Sequence, residues 1–139
     1  SRFEIGKDEN NNPVSKSGYE IWTNINKKEA EKIASSMENN INSKLINGYA
    51  YDTAFHFIYD DIGGKINKSK KISGTKSIKN IYDIVDDMYE ITTEVSYENV
   101  VVRGIAREIE YVYDLLDNRL TISYDTSGIN YGFRTIIYK

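Results

Sequence analysis

Near residue 88 the hydrophobic period of this chain changes, and that change limits the folds open to it. Before it, apolar residues recur at helical spacing. Ala30, Ile33, Ala34 and Met37 stand at i, i+3, i+4 and i+7, one stripe with Lys and Glu on the other face. After it, Tyr89, Ile91, Thr93 and Val95 alternate with Glu90, Thr92 and Glu94, the two-residue period of a strand. Helices early and strands late predict an α+β fold with segregated elements.

Local signals place those elements. Asn26 followed by Glu29 is a capping-box start, with Asn in the Ser/Thr role. The helix it opens is expected to end near Asn39-Asn40. A second helix is expected from about Tyr49 to Tyr59, with Ala50, Tyr51, Ala54, Phe55 and Ile58 on one face and Gly63-Gly64 as its stop. Asp8 to Pro13 is a turn sequence. Tyr19 to Thr23 alternates like a short strand. Residues 65–79, rich in Lys, Ser and Gly, are expected to form a solvated surface loop. Asn99 to Arg103 is a β-branched run suited to a buried strand. Tyr111 to Tyr113 and Leu120 to Tyr124 are weaker strand candidates, and Gly132 to Tyr138 is a terminal strand. With no internal repeat and no linker, residues 1–139 are read as one domain.

Composition narrows the chemistry. A net charge of −3 offers no basic field for a polyanion, so nucleic acid is not an expected partner. Apolar runs such as Val100–Val102 are far too short to span a bilayer, so no membrane association is expected. The chain has no Cys, which removes disulfides, thiolate metal clusters and thiol catalysis. Residue 1 is Ser, which fits a processed chain or a segment of a longer protein.

Two segments some fifty residues apart carry a family resemblance. Asn80-Ile81-Tyr82-Asp83-Ile84-Val85-Asp86-Asp87-Met88-Tyr89-Glu90-Ile91 resembles the pattern N-V-Y-D-L-A-G-N-V-W-E-W, and Tyr131-Gly132-Phe133-Arg134 resembles a closing I-G-F-R. Between and before them, Leu45 to Asp52 resembles a helix opening I-x-x-G-A-x-W-D. Val101-Val102-Arg103-Gly104 resembles V-V-R-G-G, and Asp117-Asn118-Arg119 resembles the x-x-R that follows it. Gly6 to Ile25, with the capped helix, resembles the opening of the phage and prophage members. Together these pieces resemble the C-type-lectin-like domain of the formylglycine-generating (sulfatase-modifying) enzymes and their non-enzymatic relatives. The resemblance implies a C-type-lectin-like fold with two helices and a small twisted antiparallel sheet.

The departures from that pattern concern chemistry. The family's oxidation of a substrate cysteine uses cysteines, and iron-binding relatives use several histidines. This chain has no Cys and a single His, too few for either, so no enzymatic activity and no resident cofactor are expected. Asp86-Asp87 replaces a Gly-Asn that lies partly around a structural calcium in family enzymes. Asp86 and Asp87 are therefore the candidates for a Ca²⁺ site, while the plainer reading makes Asp83, Asp86 and Asp87 turn formers. His56 is flanked at i−4 and i+4 by Asp52 and Asp60. Those neighbours suit a carboxylate-oriented imidazole, but the preferred reading is a surface ion pair. Acid pairs such as Asp60-Asp61 and Glu108 with Glu110 lack any cleft visible in sequence.

Binding is what the resemblance leaves. Non-enzymatic relatives, among them phage tail-tip receptor-binding proteins, bind through the surface just before the closing strand, which here matches residues 107–131. Tyr, Asn, Asp and Arg are frequent there, residue types that give contact area and hydrogen bonds at interfaces. Tyr111 and Tyr113 are expected to point inward, and Arg119 and Arg134 to serve the scaffold. The expected ligand contacts are Asn118, Tyr124, Asp125, Asn130 and Tyr131. The expected role is adhesion to a bacterial surface glycan or protein, from a phage or prophage tail or tail-like particle, outside the cell and on a homo-oligomeric fibre. The alternatives are a structural virion domain touching only neighbouring chains, or an atypical enzyme of the same fold.

Overall fold

The computed structural model describes residues 1–37, 42–62, 77–78, 81–82, 84, 88–104 and 119–138. Among them are two helices and ten strands, so the α+β class holds. The chain opens with a ribbon of β1 (Gly6–Lys7) and β2 (Pro13–Val14). Its turn is held by Asp8, whose carboxylate accepts the amides of Asn10 at 2.9 Å and Asn12 at 2.7 Å. Those bonds, Asn12's foremost, keep the Asp8 carboxyl below its ordinary range. The expected strand at Tyr19–Thr23 is no more than a bridge between Ile21 and Gly6.

Helix α1 (Lys27–Ser35) starts on the expected capping box. The Asn26 side chain accepts the Glu29 amide at 3.1 Å, and the Glu29 carboxylate accepts the Asn26 amide at 2.9 Å. It ends earlier than its apolar stripe, because Ser36 turns both its amide and its hydroxyl onto the Ile33 carbonyl. Met37 still packs on the core. The expected helix end at Asn39-Asn40 lies outside the described residues.

Strand β3 (Asn42–Leu45) follows, and sequence reasoning had no place for it. It pairs antiparallel with β10 (Thr135–Tyr138) and puts a strand between the helices, so the expected segregation fails. Helix α2 (Gly48–Ile62) is longer than predicted at both ends. Its first turn is held by the Asn47 carboxamide oxygen, which accepts the Ala50 amide at 2.7 Å. Tyr51 and Phe55 are its buried face. Ser77–Ile78 (β4), within the stretch expected to be loop, pairs with Ile81–Tyr82 (β5).

The centre is a four-stranded sheet in the order β8-β7-β6-β9, made of β6 (Tyr89–Ser96), β7 (Asn99–Gly104), β8 (Leu120–Ser123) and β9 (Tyr131–Phe133). The β6–β7 and β7–β8 pairs are antiparallel, but β9 runs parallel to β6. The sheet is therefore mixed, not the wholly antiparallel one expected. The expected single strand Gly132–Tyr138 is two strands. It breaks at Arg134, whose side chain is buried, and passes from the central sheet to the β3 pair.

Both faces of this sheet are covered. Ile91, Val102 and Phe133 are register partners and meet Ala30 and Ala34 of α1, Leu45 of β3 and Ile5 in one apolar cluster. Glu90 and Arg103, partners one step along, point to the opposite face. There α2 supplies Tyr51, with Phe55, Ile46 and Ile84 in a second cluster. Of the two faces that alternate along β6, the polar one is also covered: Glu90 and Thr92 are buried, and Val95 is exposed beyond a register shift after Ile91. Among the described residues no helix is long and apolar enough to cross a membrane.

Candidate recognition surface

A charged layer lies on the α2 face of the central sheet. Arg134 and Glu90 are each 1% exposed, and Arg134 Nε donates to Glu90 Oε1 at 2.6 Å. The other Arg134 nitrogens donate to the carbonyls of Arg2, at 3.1 Å, and Tyr82. Burial disfavours the guanidinium charge. Glu90 and Glu4 more than offset that, so the Arg134 pKa is raised. The Tyr51 hydroxyl donates to the Ile84 carbonyl at 2.5 Å. Burial, then the Glu90 charge, pushes its pKa well above the ordinary value.

A second set of charges ties α2 to β7 and β8. Asp52 accepts from Arg103 through one oxygen and from Arg119, at 2.7 Å, through the other. Arg119 Nε also donates to Glu94 Oε1 at 3.1 Å, and the Arg103 guanidinium lies 5.2 Å from the centre of the Tyr51 ring. A Cβ on Gly48 would meet the Glu94 carboxylate, which would have to shift. Gly104 has φ +87°, and a Cβ there would stand 2.9 Å from the Met88 carbonyl oxygen. Asp52 is thus taken by arginines rather than by His56, which is exposed on α2. That resolves the expected Asp52–His56 pairing in a way sequence neighbours could not show.

On this frame the connection from β8 to β9, residues 124–130, forms the outward surface. β8 and β9 are the two edges of the central sheet and run in the same direction. The connection must therefore return from one end of the sheet to the other. It is tied down on the way. The Thr126 amide donates to the Ser123 carbonyl at 3.0 Å, Asn24's to Gly128 at 3.0 Å, Tyr131's to Gly128 at 3.3 Å and Tyr89's to Asn130 at 2.9 Å. A loop anchored at both turns and in its middle presents side chains with little entropy left to lose on binding.

The expected contacts fall out as follows. Tyr124, 42% exposed, stands at the first turn with Asp125, also exposed. Lys27 Nζ lies 5.4 Å from the Tyr124 ring centre and is itself bound to Glu31 at 2.5 Å. Asn130 is exposed at the second turn while its carbonyl holds β6. Tyr131 is half-buried and stacks on Tyr89 with centroids 6.0 Å apart, which makes it more a support than an exposed contact. Asn118, Tyr111 and Tyr113 lie outside the described residues, as do Asp86 and Asp87. Among the described residues no three His, Cys, Asp or Glu side chains are grouped to hold a metal ion.

Sequence reasoning missed Tyr97. It lies in the two-residue turn Tyr97-Glu98 joining β6 to β7, is 99% exposed, and has φ +54°. The register Ser96↔Asn99↔Ser123 sets this turn at the same end of the sheet as Tyr124 and Asp125. The signal was there as Val95-Ser96-Tyr97-Glu98-Asn99-Val100, two strand runs split by two residues.

Compared with known proteins, the chain matches no family model, no curated protein and no solved structure.

Proposed function

We propose that this is a non-catalytic adhesion domain with a C-type-lectin-like frame, carried by a phage or prophage tail or tail-like particle. Its ligand is a bacterial surface glycan or protein. The supporting observation is the 124–130 connection. It crosses between the edge strands, is pinned by backbone hydrogen bonds at both turns, and presents Tyr124, Asp125 and Asn130 to solvent. Arg103, Arg119 and Arg134 bond carboxylates of the frame. Affinity from so few contacts is modest per domain and is made useful by several copies on one fibre.

The direct test is retention of the fluorescently labelled domain on a panel of bacterial cells. Replacing Tyr124 and Asn130 together with Ala should abolish retention and leave the melting temperature unchanged. Unchanged retention would discard this surface. Equal loss of retention and stability would assign both residues to the core. Failure of the parent domain to bind any cell would favour the structural virion role.

A further inference from the structure

We infer that the end of the central sheet formed by Tyr97, Glu98, Tyr124 and Asp125 is a sugar-binding site selective for neutral or amino-bearing glycans. This deepens the adhesion reading and rests on it. It starts from an expensive residue. Tyr97 holds a left-handed backbone conformation, φ +54°, at the first position of a two-residue hairpin turn. Positive φ there favours Gly, and for a bulky side chain it is a strained choice. Its ring is 99% exposed, so no burial within the fold offsets the strain. Strain kept without a folding benefit is a mark of functional positions.

The surroundings give the ligand its chemistry. β6 and β8 are separated by β7 alone, so Tyr97 and Tyr124, each one residue past the partnered Ser96 and Ser123, start about 10 Å apart. Two aromatic platforms at one edge present flat apolar faces with polar tips. Around them Glu98, Asn99, Ser123 and Asp125 are exposed and offer acceptors and donors to hydroxyl groups. Glu98 and Asp125 make the site acidic. The nearby Lys27 charge is offset by Glu31 at 2.5 Å. An anionic glycan would meet like charge, whereas hydroxyl or ammonium groups would be accepted.

The test uses the 139-residue chain on a glycan array printed with neutral, amino-bearing and acidic sugars. The parent should be retained on neutral or amino-bearing glycans. Tyr97→Gly should weaken that binding at least about ten-fold, as expected for an aromatic anchor, while raising Tm, because glycine relieves the backbone. Tyr97→Asn should behave likewise, and Tyr97→Phe should keep most of the binding. A lower Tm for Tyr97→Gly, unchanged binding by both ring-less variants, or retention confined to acidic sugars would each overturn the inference. Cell binding without retention on any glycan would also overturn it, yet leave the adhesion reading standing. No binding to cells or glycans would remove both.

Discussion

The two ends of the central sheet are built on opposite terms. At one end, where Tyr131, Tyr89 and Gly104 are register partners, charge is buried. Glu90 and Arg134 are sealed under α2, and Arg103 reaches Asp52. At the other end, around Ser96, Asn99 and Ser123, aromatic rings stand in water on Tyr97 and Tyr124. Each end inverts the usual preference for apolar residues inside and charges outside. The buried end tolerates its charges because partners and carbonyls are in place. The exposed end shows rings that the fold does not need.

Substitutions at the two ends should therefore differ in kind. The largest effect belongs to Glu90→Ala, which removes the carboxylate bonded to the buried Arg134 and should cost about 3–5 kcal/mol in urea melts. Pairing it with Arg134→Met should recover much of the loss, and a single-variant cost under about 1 kcal/mol would break the contrast. Gly104→Ala should cost about 1–2 kcal/mol from its backbone conformation alone. Tyr51→Phe should cost about 1 kcal/mol through the lost bond to Ile84, with a pH signature. Burial and Glu90 raise the Tyr51 pKa, whereas unfolded tyrosine titrates near 10.0. The unfolded chain gives up this proton first, so the stabilisation is complete below pH 10 and declines above it. Alkaline melts of Tyr51→Phe should show a shallower decline. Tyr124→Ala at the open end, and Asn130→Ala at the exposed turn before β9, should each stay within about 0.5 kcal/mol of the parent.

What was legible in the sequence was what neighbours in the chain decide. The Asn26–Glu29 capping box is local, and it formed as read. The valine run of β7 signals burial on both faces and is buried. What covers the polar face of β6 was not legible, because alternation cannot tell solvent from a second helix. Glu90's partner lies 44 residues on, and the partners of Asp52 lie 51 and 67 residues away. Asn42-Ser43-Lys44-Leu45 carries no β-branched residue and becomes a strand through its pairing with residues 135–138. In the candidate site, Tyr124, Asp125 and Asn130, chosen as contacts by residue type, are exposed. Residue type did not separate Tyr131, which Tyr89 half covers, and it passed over Tyr97, whose value lies in a backbone angle.

The break at Arg134 has a consequence for synthesis. Within eight residues, 131–138 complete two different sheets, pairing with β6 and with β3, and Phe133 also receives the Ile5 amide. Until that segment has left the ribosome, a nascent chain can form neither the β6–β9 nor the β3–β10 pairing. Contacts of such long sequence separation form slowly. The translated domain is expected to wait, with sheet edges open to chaperones, until its last strands emerge.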